Sequence, residues 1–93
     1  MKLEYWLLGD TEAEAYGLMR VDYVDDLPLC HWYLDRDRGG WVENNGLCMF
    51  TLRAEPGVVP VDDRRAAEYA AGWGMTLDAP ELPSGAPQPT SAE

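Results

Sequence analysis

Apolar side chains recur with a period of two along most of this chain. Only once, between Asp62 and Gly74, does the period change to that of a helix. The first pattern builds strands with two distinct faces, and the second builds one amphipathic helix. Leu3, Tyr5 and Leu7 alternate with Lys2, Glu4 and Trp6. Trp6 and Leu8 give the second face apolar weight, so a central or partly covered strand is predicted over residues 2–8. Met19, Val21 and Tyr23 alternate with Arg20, Asp22 and Val24, which predicts a strand with one apolar and one mostly polar face. Leu29–Leu34 and Trp41–Val42 continue the series. Residues 11–16 fit one helical turn or a hairpin loop.

Turn chemistry separates these runs. Asp25-Asp26-Leu27-Pro28 is a connection in which Pro28 biases Leu27 towards extended backbone. Asp35-Arg36-Asp37-Arg38-Gly39-Gly40 is a polar turn closed by two glycines. Glu43-Asn44-Asn45-Gly46 suits a tight hairpin turn. Leu47–Leu52 then reads first as a strand; a short helix capped by Asn44 or Asn45 is the alternative, since it would bury Leu47 and Phe50 together. Val58-Val59-Pro60-Val61 carries a proline and suits a sheet edge or a loop. In the helix, Asp62 or Asp63 serves as cap, and Ala66, Tyr69, Ala70 and Trp73 form one stripe. The expected fold is therefore α+β: a small antiparallel sheet of three to five strands with one C-terminal helix packed on one face.

All four tryptophans and all five tyrosines lie in residues 1–78. Large aromatics supply much of the core area that so small a domain needs. Residues 79–93 hold four of the seven prolines, and Leu82 is their only large apolar side chain. Residues 1–78 therefore read as a compact acidic domain and 79–93 as a Pro-rich flexible tail, with Leu82 as the anchor if the segment orders on the domain or on a partner.

Charge excludes one function class. The formal net charge is −10, and residues 1–78 hold fifteen of the seventeen acids with all seven bases. Such a balance opposes direct binding of nucleic acid through its phosphates. No apolar run approaches the roughly eighteen residues that a membrane helix needs, and no signal-peptide core fits the N-terminus, so a cytoplasmic protein without membrane contact is expected. Cys30 and Cys48 read as two separate buried thiols.

Convergent chemistry is sparse. The single histidine, His31, has Cys30 on the opposite strand face, so the pair does not suit a metal ion, and no metal or cofactor is expected. No Gly-x-Ser-x-Gly occurs, and Cys48 with His31 has no visible third member. An enzyme is thus less favoured than a binding protein. Asp22, Asp25, Asp26, Asp35 and Asp37 gather at two connections, and Arg36, Arg38 and Trp41 add the residue types enriched at interaction hot spots. These eight are the candidate partner-binding residues. They point to a small accessory or interaction protein, such as a regulator, inhibitor or adaptor, that meets a protein partner with a basic surface. A nucleic-acid-mimicking inhibitor needs the five aspartates in one stripe, and a minimal enzyme or ligand binder needs a pocket around His31. Sheet edges are also open to pairing in a homodimer.

Overall fold

The computed structural model describes residues 2–82. Six strands form one sheet: β1 (Lys2–Leu8), β2 (Gly17–Val24), β3 (Leu27–Asp35), β4 (Gly40–Glu43), β5 (Val58–Val61) and β6 (Glu81–Leu82), in spatial order β5-β1-β2-β3-β4-β6. Neighbours run antiparallel except β4 and β6, which are parallel. Two helices accompany the sheet, α1 (Cys48–Thr51) and α2 (Asp63–Gly72).

The architecture corrects the expected one: the sheet is mixed and six-stranded, and a second, internal helix exists besides the one near the C-terminus. Two local causes account for this. Asn44 does not turn a hairpin; its side chain accepts from the Gly46 amide at 2.9 Å and caps a 3-10 turn over Asn45–Leu47 that runs into α1. Residues 47–52 are therefore not a strand. Leu47 and Phe50 instead pack on Leu8, Met19 and Val21. The sixth strand comes from the segment expected as a tail, whose Glu81 and Leu82 pair with Trp41 and Val42. The remainder of that segment, 83–93, lies outside the described residues.

The sheet is covered on both faces, unevenly. On one face Tyr5, Leu7, Leu18, Leu34 and Trp41 meet Ala66 and Ala70 of α2. The two alanines are fully buried, so their small size brings the helix close to the strands. Tyr69 and Trp73 of the same stripe are half-buried and pack at the margin. Asp62 starts the helix by accepting from the Arg65 amide at 2.8 Å, a cap worth about 1 kcal/mol. Gly74, at φ 77°, takes the left-handed conformation that ends it. On the other face, α1 and its preceding turn cover Leu8, Met19 and Val21. β1 is thus a central strand buried on both sides, while β5 lies at the sheet edge, where Pro60 costs no ladder bond.

Candidate functional site

The eight candidate residues fall into three places. Asp25 and Asp26 form the two-residue turn of the β2–β3 hairpin, with φ of 54° and 66°. Positive φ at both positions is the type I′ geometry that matches strand twist, and aspartate tolerates it better than most side chains. Around this turn the sheet surface is apolar and open. Leu27 is 67% exposed and Leu29 64%, while Val24 and Leu3 are 40% exposed. A register shift between Asp22 and Tyr23 leaves Leu29 as an extra residue in β3, the mark of a bulge. Because β4 pairs with Trp32–Asp35 only, Leu27–Cys30 present an edge without a neighbouring strand among the described residues.

Asp35, Arg36, Asp37 and Arg38 lie at the opposite end of β3. Eight residue steps of extended chain put the two turns about 26 Å apart. The Asp35 carboxylate accepts from the amides of Asp37 and Arg38 at 2.9 and 3.1 Å, so its first task is to hold the turn. Arg36 lies over the Trp73 ring at 5.1 Å, and Arg38 reaches Asp35 at 3.8 Å. An open cleft of about 410 Å³ beside this turn is lined by Tyr16, Tyr33, Asp35, Arg36 and Asp37 among others. It holds two phenols and three charged groups, without a thiol, imidazole or aliphatic hydroxyl to act as a nucleophile.

Asp22 and Trp41 belong to the interior. Asp22 is 7% exposed and Trp41 is fully buried, its Nε1 donating to the Leu77 carbonyl at 3.1 Å. Neither offers its side chain to a partner. Together they frame a buried arginine that the alternating pattern assigned to a polar face. Arg20 Nε donates to Asp22 Oδ1 at 3.0 Å and Nη2 to Oδ2 at 3.3 Å. Asp22 Oδ2 also accepts from Trp32 Nε1 at 3.1 Å. The guanidinium lies 5.0 Å from the Trp32 ring centroid and 5.3 Å from that of Trp41, and Nη2 donates to Glu81 Oε2 as well. Burial opposes the Arg20 charge, but the hydrogen bonds to Glu81 and Asp22 outweigh it and hold its pKa above the ordinary value. Nearby, burial raises the Tyr5 phenol, although Arg20 acts the other way.

His31 is 3% exposed, with Nε2 at 2.7 Å from Thr51 Oγ1 of α1. Burial lowers its pKa, and the Asp22 charge offsets only part of that. The ring is a neutral, hydrogen-bonded strut between sheet and helix. Cys30 and Cys48 are half-buried and not bonded to each other. Among the described residues no group of three or more His, Cys, Asp or Glu side chains converges as metal ligands, and no helix is long and apolar enough to cross a membrane.

Leu27 and Leu29 were not among the residues singled out from the sequence, because an exposed leucine has the same local pattern as a buried one. Arg20 and Glu81 were missed too. For Arg20 a signal exists: it stands two residues from Asp22, and that spacing puts opposite charges on one strand face. No family model, curated protein or solved structure matches the chain.

Proposed function

We propose that this chain is a small protein-interaction module whose contact surface is the end of the β2–β3 hairpin, and that its partner presents a basic segment with apolar side chains. The exposure of Leu27 and Leu29 beside Asp25 and Asp26, on a length of β3 whose side away from β2 has no strand neighbour among the described residues, carries the reading. An open edge offers backbone hydrogen bonds, two leucines offer apolar anchors, and the turn carboxylates select for positive charge. The formal charge of −10 favours a basic partner over a second copy of this chain, which would bring the same charge. A nucleic-acid mimic has less support: Asp25–Asp26 and Asp35–Asp37 lie at opposite ends of β3, and Asp22 is buried between them. A pocket around His31 has none, since that ring is inside.

The test compares proteins retained from the native host by three full-length forms: the unmodified chain, Leu27→Ser/Leu29→Ser, and Asp25→Asn/Asp26→Asn. Asparagine tolerates the left-handed backbone of the turn, so the last variant removes charge with little change of shape. A partner held by the unmodified chain should be lost by the leucine variant. The asparagine variant and raised salt should weaken it in the same direction. Retention of an unchanged set of proteins by the folded leucine variant would refute the reading.

A further inference from the structure

Pro80–Leu82 lie along β4 in the way a peptide from another molecule would. The β4–β6 pairing is the parallel one in the sheet, and it covers two residue pairs, Trp41 with Glu81 and Val42 with Leu82. The Trp41 amide donates to the Pro80 carbonyl at 2.8 Å. Gly40 makes the room: a Cβ there would stand 2.4 Å from the Pro80 carbonyl oxygen and 3.0 Å from Leu82 Cγ. The glycine is required by the close approach of this segment and not by a left-handed backbone.

Side-chain chemistry adds selectivity. Arg20 is 7% exposed at its side chain, under the rings of Trp32 and Trp41. Asp22 comes from the same strand and is itself buried, whereas Glu81 arrives with β6 and stays 54% exposed. A guanidinium has five donors, and one carboxylate cannot satisfy them. With β6 absent, Arg20 would keep Asp22 and turn its remaining donors towards the β4 edge, where a carboxylate makes a stronger, charge-assisted bond than water does. Backbone pairing, a glycine floor and a buried cation aimed at an acid are together the parts of a strand-addition site.

We propose that the β4 edge is a peptide-binding groove for an extended segment of a partner protein that carries a glutamate or aspartate at the position of Glu81, and that Pro80–Leu82 is its intramolecular occupant, an autoinhibitory contact which the partner displaces. Two residue pairs at a sheet margin are a weak hold, and such segments open without global unfolding. Tethering gives the occupant an effective concentration in the millimolar range, so a competing segment succeeds only with better contacts along the same groove. This groove and the β2–β3 hairpin are separate surfaces, and the loss of one reading leaves the other standing.

The test uses the full chain carrying Glu81→Ala and two synthetic peptides, acetyl-Ala-Pro-Glu-Leu-Pro-amide and its counterpart with glutamine for glutamate. Binding is read from the ¹⁵N shifts of the Trp41 amide and the Arg20 Nε–H group. The variant should bind the glutamate peptide at least fivefold more tightly than the glutamine peptide, and at least fivefold more tightly than the unmodified chain does. Adding Gly40→Val should abolish binding. A ratio below fivefold between the peptides, or no shift of a folded variant at millimolar peptide, overturns the proposal. If Glu81→Ala does not fold, hydrogen exchange in the unmodified chain decides. Exchange of the Trp41 amide well ahead of the β2 amides supports an occupant that leaves on its own; exchange at the same rate overturns it.

Discussion

Asp22→Ala should be among the most damaging single substitutions in this protein, and the damage should be partly undone by removing Arg20 as well. Asp22 accepts three hydrogen bonds, two from Arg20 and one from Trp32 Nε1. Its removal leaves a guanidinium beneath two indole rings with Glu81 alone, and orphans the Trp32 donor. Breaking a buried ion pair from one side costs about 3–5 kcal/mol. Glu81 keeps one bond to Arg20 and is half exposed, so water reaches that end and the lower figure applies. The lost bond to Trp32 adds about 1 kcal/mol. The expected loss is about 4 kcal/mol, a large part of the stability of a domain this size. Arg20→Met/Asp22→Leu removes both charges together and keeps apolar volume under the tryptophans, so it should cost about 2 kcal/mol less than Asp22→Ala. Urea unfolding, followed by tryptophan fluorescence and far-ultraviolet dichroism, measures both. A double variant no more stable than Asp22→Ala, or an Asp22→Ala loss under about 1 kcal/mol, would refute the claim that this pair is a coupled buried unit.

Four further outcomes follow from the packing and the turn geometry. Trp41→Phe removes the bond to Leu77 and opens a fully buried site, so a loss of about 2–4 kcal/mol is expected by urea unfolding. Trp6→Phe should cost about 1 kcal/mol or less, because the buried Trp6 Nε1 has no partner to lose. His31 has a folded pKa below its unfolded one, so the unfolded chain takes up the proton first. Stability should be fully present above about pH 6.5 and fall on acidification, by no more than about 1.4 kcal/mol per pH unit from this group. His31→Gln should flatten that part of the pH profile in thermal unfolding; an unchanged slope between pH 7 and 5 would count against a buried neutral ring. Asp25→Asn/Asp26→Gly replaces the turn with the preferred type I′ pair and should stabilise by about 0.5–1 kcal/mol.

Legibility in the sequence followed the length of each element. The stripe of Ala66, Tyr69, Ala70 and Trp73 spans two turns, and the helix lies where that period places it. β1, β2 and β3 are long enough to show alternation, and they form the centre of the sheet. Residues 47–52 are six, and both periods fit six residues, so the outcome was decided by contacts of Leu47 and Phe50 with Leu8, Met19 and Val21 far away in the chain. Glu81–Leu82 has no period at all, and its place depends on Gly40 and Arg20. Arg20 and Asp22 looked like a solvated face because hydropathy scores each side chain alone. Opposite charges two residues apart on a strand satisfy one another, and the pair can then be buried. Of the candidate residues, Asp25 and Asp26 lie on the surface now proposed, Asp35–Arg38 form a separate turn, and Asp22 and Trp41 are interior.

The separation of interior from contact surface follows from the lengths of the pieces. The ten residues of α2 extend about 15 Å, whereas the nine residues of β3 extend roughly 26 Å or more. Whatever its angle to the strands, the helix cannot cover that face along its whole length. It covers the end that carries Leu7, Leu18, Leu34 and Trp41. The middle of the face is closed by the arginine sandwich, with Tyr5, Arg20 and Trp32 side by side in the register. Past Asp22 the strands run out into the hairpin, where Val24, Leu27 and Leu29 are exposed. The helix runs from Asp63, beside Tyr5, to Trp73, which lies against Arg36 at the far end of β3, so its C-terminal end points away from those leucines. The buried charge pair therefore ends the core within the sheet, and the surplus length of β2 and β3 carries the exposed leucines on which the proposed contact surface rests.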